Sequence, residues 1–152
     1  MGICWSSYKQ SALKRRLRTC ELKTTPRFVP EFKYAKVVKV YDGDTVTLAA
    51  IPFGSKKPYL FQCRLTRIDA PEMTKQSGKT QKARNREKAL AIKSRDALFK
   101  LIGNKVVKVD IKSLEKYGRV LADLTIDNTD VSDWMIQHKY AVPYSGGKKC
   151  KW

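Results

Sequence analysis

Tyr34-Ala35-Lys36-Val37-Val38-Lys39-Val40-Tyr41-Asp42-Gly43-Asp44-Thr45-Val46-Thr47-Leu48 reads as two short strands joined by a turn. Valines and threonines dominate both runs, and β-branched side chains pack well on a pleated surface. Asp42-Gly43 between them supplies the turn. Working outward, Gly54-Ser55-Lys56-Lys57-Pro58 turns the chain again, and Tyr59 to Ile68 alternates as a third strand. Met73 to Arg86 is a polar loop rich in Lys, Arg and Gln. Beyond it Leu90, Ala91, Ala97, Leu98, Leu101 and Ile102 recur at helical spacing and stop at Gly103-Asn104, a helix-ending pair. Lys105 to Ile111 forms a fourth strand. Arg119 to Ile126 forms a fifth, with Val120, Ala122, Leu124 and Ile126 on one face. Asp130 then caps a short helix that runs to His138. Periodicity by itself supports a small α+β or β-barrel domain.

The 152 residues make one domain, with an arm and a tail. Residues 1–33 form a basic arm, 34–145 the domain and 146–152 a short basic tail. The domain can bury a usable core, because 42% of the chain is hydrophobic. Lys plus Arg number 32 against 14 Asp plus Glu, a net charge of +18. So large an excess points to a polyanionic partner, either nucleic acid or an anionic membrane face. Cys4, Cys20, Cys63 and Cys150 show no paired spacing, and His138 is the only histidine, which argues against a zinc site. Scattered thiols suit a reducing compartment. No apolar run is long enough to span a bilayer, and no signal-peptide core is present.

The arm carries its own signals. Met1-Gly2-Ile3-Cys4-Trp5-Ser6 fits the pattern for myristoylation of Gly2, and Cys4 beside it is a site for a second acyl chain. Lys14-Arg15-Arg16-Leu17-Arg18 adds a polybasic patch, the second signal that stable anchoring requires. This predicts an intracellular protein, lipid-anchored at the cytoplasmic face of a membrane. The alternative is a disordered basic arm that strengthens nucleic-acid binding or serves as a nuclear address, in a soluble cytoplasmic or nuclear protein. Pro26 and Pro30 bracket an extended connector into the domain.

Acids are scarce in this chain, yet they gather at turns. Asp42 and Asp44 flank Gly43; Asp69 and Glu72 flank Ala70-Pro71 in Arg64-Leu65-Thr66-Arg67-Ile68-Asp69-Ala70-Pro71-Glu72. Carboxylates clustered in a basic chain suggest a hard cation, and the surrounding charge a phosphate substrate. Asp44 and Asp69 are the natural metal ligands, each where a strand meets a turn; Asp42 reads better as a turn residue. Glu115-Lys116-Tyr117-Gly118-Arg119 sets a second arginine near a turn. Guanidinium forks match phosphate oxygens in a way that lysine does not. His138 shares a helix face with Val131, Trp134 and Met135 and reads as packing or capping. Cys63 reads as a small core residue.

Asp-Gly-Asp-Thr, Arg-x4-Asp-x-Pro-Glu and Lys-Tyr-Gly-Arg, in this order, resemble the staphylococcal-nuclease-like (thermonuclease) family over roughly Tyr34 to Tyr144. The resemblance implies a five-stranded OB-type Greek-key barrel, with a helix between the third and fourth strands and a short C-terminal helix. It implies a calcium-dependent nuclease that cleaves the P–O5′ bond of DNA and RNA with low sequence specificity and leaves 3′-phosphate ends. Asp44, Asp69 and the backbone carbonyl of Ala70 would hold Ca2+; the usual residue at position 70 is threonine. Glu72 would be the general base, stiffened by Pro71, and Arg64 and Arg119 would bind the phosphate. Lys116, Tyr117 and Tyr144 resemble substrate-contacting positions. Lys75, Lys79, Lys82, Arg84 and Arg86 would hold the nucleic-acid backbone from a basic loop. The bacterial secreted members continue into a third helix where this sequence reads Gly146 to Trp152; Trp152 or the arm would cover that surface. No obligate protein partner is expected. The rival readings are a non-catalytic nucleic-acid-binding module and a lipid-anchored interaction protein.

Overall fold

A computed structural model describes residues 5–73, 80–115 and 117–147. Strands β1 (Tyr34–Val40), β2 (Thr45–Ala50), β3 (Tyr59–Leu65) and β4 (Ile68–Asp69) precede helix α2 (Gln81–Ile102), and helix α1 (Trp5–Leu17) lies in the arm. Then come β5 (Val106–Leu114), β6 (Val120–Ile126), β7 (Thr129–Asp130), helix α3 (Val131–Gln137) and β8 (Val142–Pro143). The main sheet runs β3-β2-β1-β5-β6-β7, and parallel pairing of Cys63, Arg64 and Leu65 with Val120, Leu121 and Ala122 closes its five long strands into a barrel. This is the five-stranded OB-type barrel, with α2 between its third and fourth long strands.

Closure needs bent strands, and two register shifts supply the bends. One falls between Val37 and Lys39 in β1, the other between Ile111 and Ser113 in β5. In β1 the inward side chains are therefore Ala35, Val37 and Val40, and the phase changes across the irregularity. Val46, Leu48, Leu65, Val107, Val120 and Leu124 fill the interior. Leu98 and Ile102 of α2 and Val131 and Met135 of α3 extend the same core. Cys63 is wholly buried there, and burial pushes its thiol up to about 12, so it packs as a neutral thiol.

Three expectations change. Tyr59 to Ile68 is not one strand: β3 ends at Leu65, Arg67 takes φ 66°, and β4 starts at Ile68. Secondly, the polar stretch before Leu90 is helical from Gln81 onward. Thr80 caps α2 by accepting from the Ala83 N–H at 3.3 Å, so Lys82, Arg84 and Arg86 lie on a helix and not on a loop. Lysine, arginine and glutamine are good helix formers, which the polarity of the segment masked. Thirdly, the arm holds a helix, α1, rich in the same residue types. From residue 9 on, none of its described side chains is buried. At the end of α2 the left-handed residue is Asn104, φ 59°, while Gly103 is needed because an added Cβ would stand 2.5 Å from the Phe99 carbonyl. Among the described residues, no helix is long and apolar enough to cross a membrane.

Candidate active site

Barrel closure assembles the site. Thr45 pairs with Arg64 across β2–β3, and the Leu65 N–H donates to the Asp44 carbonyl at 2.8 Å. On the other edge of β3, Cys63 pairs with Val120, which puts Arg119 beside the same strand. Residues 44, 64 and 119, remote in sequence, are thus neighbours through two strand pairings of β3. The third approach is local: β4 carries Asp69 and pairs with Val142.

The turn from β1 to β2 is held both by its own side chains and by neighbours at Ala70 and α2. Asp42 Oδ1 accepts from the Asp44 N–H at 3.1 Å, the turn role expected for it. Asp44 Oδ1 accepts from the Thr45 hydroxyl at 2.9 Å, and Asp44 Oδ2 from the Ala70 N–H at 3.4 Å. Gly43 lies so close to α2 that an added Cβ would stand 1.9 Å from Ser94 Oγ and 2.7 Å from the Ala70 Cβ. Ser94 in turn donates to the Tyr140 carbonyl at 2.8 Å, tying α2 to the segment that leads into β8.

Arg64 is the hub. Its Nη1 lies 3.1 Å from Asp44 Oδ1, and its Nη2 lies 2.9 Å from Asp44 Oδ2 and 3.4 Å from Asp69 Oδ1. Its Nε is 3.8 Å from Glu115 Oε1, and Glu115 Oε2 takes Nε and Nη2 of Arg119, each at 2.6 Å. Glu115 therefore links the two arginines. Burial works against the Arg64 charge, but Asp44, Asp69 and Glu115 outweigh it and hold the guanidinium above its ordinary pKa. For Asp44 the balance runs the other way. Burial and the neighbouring Asp42 raise its carboxyl from 3.8 to about 7, although Arg64 and the Thr45 hydroxyl pull downward.

A cleft of about 390 Å³ opens beside this cluster, and Arg64, Glu72, Arg119, Asp42, Lys39 and Gln62 are among its lining residues. Glu72 and both arginines thus share one cavity, with Asp44 and Asp69 just beneath through Arg64. Ala70 is buried against Asp44. Tyr117 is exposed and Tyr144 half-buried; neither lines the cleft. The Tyr144 hydroxyl donates to the Gly147 carbonyl at 2.8 Å. Lys116, Lys75 and Lys79 lie outside the described residues, as do Gly2, Cys4 and Trp152. His138 has the packing role expected of it: it ends α3, and its ring lies 4.2 Å from that of Trp134 with Nδ1 2.9 Å from the Trp134 carbonyl.

Sequence reasoning missed Glu115 as a bridge. Its signal was present, because an acid four residues before an arginine across a tight turn can close on it. Among the described residues, no group of three or more His, Cys, Asp or Glu is arranged to hold a metal ion. Asp44 and Asp69, however, approach the same guanidinium nitrogen, so their oxygens already converge on a positive charge. That all-oxygen pair fits a hard cation.

A family model described as staphylococcal nuclease homologue matches residues 62–151, more than half of the chain. Two rice (Oryza sativa subsp. japonica) proteins are similar over 81 residues: probable staphylococcal-like nuclease CAN2 at 32% identity and CAN3 at 31%. Each match takes in 53% of this chain and 18% of the relative, so the chain spans under a fifth of these proteins' length. The family match takes in Arg64, Asp69, Glu72 and Arg119 but begins after Asp44, which only the fold brings to them.

Proposed function

We propose, from the premise that this chain belongs to the staphylococcal nuclease homologue family, that it is a calcium-dependent nuclease acting on DNA and RNA. The observation that carries the reading is the convergence of Asp44 and Asp69 on Arg64, with Glu72 and Arg119 lining the adjoining cleft. Asp44, Asp69 and the Ala70 carbonyl would hold Ca2+, which when bound supplies charge stabilisation to a phosphodiester in the cleft. The chain's own residues do the rest. Arg64 and Arg119 present guanidinium donors to the phosphate oxygens, exchanging their carboxylate partners for substrate. Glu72 orients a water and accepts its proton as the water oxygen bonds to phosphorus; the P–O5′ bond breaks, O5′ leaves as a 5′-hydroxyl by taking a proton from solvent water in the open cleft, and a 3′-phosphate remains. Backbone contacts from a +18 chain would hold nucleic acid with low sequence preference.

Cleavage of single-stranded DNA with calcium and with chelator is the test, with Glu72→Ala and Arg64→Ala as controls. Calcium-dependent cleavage lost by a factor of about 100 or more in each variant is expected. Tight binding without cleavage, indifferent to calcium and to both substitutions, would move the chain to the binding-module class.

For the arm, acylation at Gly2 and Cys4 is proposed on the sequence pattern, with the exposed Lys14, Arg15 and Arg16 of α1 facing an anionic leaflet. Mass spectrometry of natively expressed protein decides it; unmodified Gly2 and Cys4 would remove the proposal.

A further inference from the structure

The bend between Arg64 and Asp69 has no part in the chemistry above. Arg67 sits in it at φ 66°, a conformation glycine adopts freely and side-chain-bearing residues adopt at a cost. The chain uses arginine there, and the side chain is anchored on three sides. Its Nη2 lies 2.7 Å from Asp130 Oδ2, its Nη1 2.7 Å from Asp133 Oδ1, and its Nε 3.3 Å from Asp123 Oδ1. The backbone is tied to the same region. The Ser132 hydroxyl donates to the Thr66 carbonyl at 3.0 Å, the Tyr144 N–H to the Arg67 carbonyl at 2.8 Å, and the Thr66 hydroxyl to Asp123. Asp130 is also the cap of α3, accepting from the Asp133 N–H at 2.9 Å through its other oxygen. One side chain therefore locks the bend to β6 and to the start of α3. Arg67 does not line the cleft.

We infer that Arg67 is a positioning residue, whose guanidinium clamps the bend that sets Asp69 and Glu72 against Arg64. Its catalytic consequence rests on the nuclease reading; the clamp itself does not. A loosened bend would shift Asp69 and Glu72 relative to β3, and small displacements at a reacting centre can cost large factors in rate. Phosphate capture by Arg119 and the basic surface would be left in place, so kcat and not KM should respond.

Full-length Arg67→Ala, Arg67→Gly and Arg67→Lys are compared by amide hydrogen exchange, thermal unfolding and steady-state cleavage of single-stranded DNA. In Arg67→Ala, exchange at Thr66 and Ala70 should rise at least about tenfold, while Val37 and Val109 of the barrel stay unchanged. In the same variant kcat should fall about tenfold or more with KM within about twofold. Glycine should recover part of the Tm lost by alanine, because it tolerates the backbone angle, yet recover neither kcat nor protection. Lysine, keeping one cation, should restore part of both. A lower Tm with unchanged kcat and unchanged local exchange in Arg67→Ala would overturn the inference, as would full recovery of kcat by glycine. If the wild-type chain does not cleave, the nuclease reading falls on that result alone, and the exchange data still decide the clamp.

Discussion

Arg64 and Arg67 stand three residues apart, and each faces three carboxylates, yet the two clamps differ in almost every physical respect. The Arg64 side chain is 9% exposed and its partners Asp44 and Asp69 are 4% and 1% exposed. The Arg67 side chain is 45% exposed and its partner Asp133 is 65% exposed. Desolvation sets the consequences. In the buried cluster it raises Asp44 against the pull of its own arginine; in the exposed one, hydrogen bonds from Thr66 and Arg67 outweigh burial and leave Asp123 lowered. Buried charge held at a cost is typical of sites that must exchange partners, and solvated charge held at little cost is typical of architecture.

Removing the buried guanidinium should have the largest effect. Arg64→Met leaves Asp44 and Asp69 without the cation between them, and an uncompensated buried charge costs roughly 3–5 kcal/mol. Arg67→Ala should cost about 1 kcal/mol, as exposed ion pairs do even in a network. Urea unfolding at pH 8 with chelator present measures both, and a reversed ranking would erase the distinction between the clamps.

Gly43 tests the support beneath the buried clamp. A methyl group there meets Ser94 Oγ at 1.9 Å and Ala70 Cβ at 2.7 Å, so the turn and α2 must separate. Gly43→Ala should destabilise by about 1–3 kcal/mol, the usual cost of overpacking. Ser94→Ala in the same chain should relieve part of it, since it removes the nearest atom. Additive effects of the two substitutions would show that the contact is not the cause.

The pH dependence should carry opposite signs in the two regions. Asp44 titrates near 7 in the folded chain and near 3.8 when unfolded, so the folded state binds the extra proton between those values. Its contribution to stability therefore falls as pH rises from about 4 to about 7. Asp123 is lowered in the folded chain, so its contribution is present above its ordinary range and is lost as pH falls through the folded value. Asp44→Asn should flatten the first slope and Asp123→Asn the second, in urea titrations between pH 3 and 8 with chelator present. Slopes of the same sign would show that the two environments are not as different as their burial indicates.

Apart from Glu115, the residues of the buried clamp were legible in the sequence, although not their pairing with one another; the exposed clamp was invisible. Asp44, Arg64, Asp69, Glu72 and Arg119 lie at motif spacings tied to turns, and chemistry requires their residue types. Arg67 lies inside the same motif but looks like one more cation in a basic strand. Its role depends on a positive φ and on three aspartates more than fifty residues downstream, which no local pattern encodes. The strands were readable from alternating valines and from turn residues, because those obey short-range rules, whereas their closure into an OB-type barrel was implied by the family resemblance. The start of α2 was not, since Lys82, Arg84 and Arg86 suit a solvated helix as well as a solvated loop. Its placement follows from the Thr80 cap and from a buried stripe, Glu87, Ala91, Ser94, Leu98 and Ile102, whose two polar members break the apolar signal.

The smallest effect separates capping from ion pairing within the exposed clamp. Asp130 serves two masters: Oδ1 accepts from the Asp133 N–H at the start of α3, and Oδ2 meets Arg67. Asp130→Asn keeps an oxygen for the cap and loses the charge, whereas Asp130→Ala loses both. The cap is worth about 1 kcal/mol and the ion pair a few tenths, so alanine should cost about 1 kcal/mol more than asparagine. Asp133→Asn, at the most exposed partner, should cost about 0.5 kcal/mol or less, and 1 M salt should erase most of that difference. If Asp130→Asn were as costly as alanine and insensitive to salt, charge at this position would be doing more than the exposed clamp allows. Arg67 would then resemble Arg64 more closely than its solvent exposure implies.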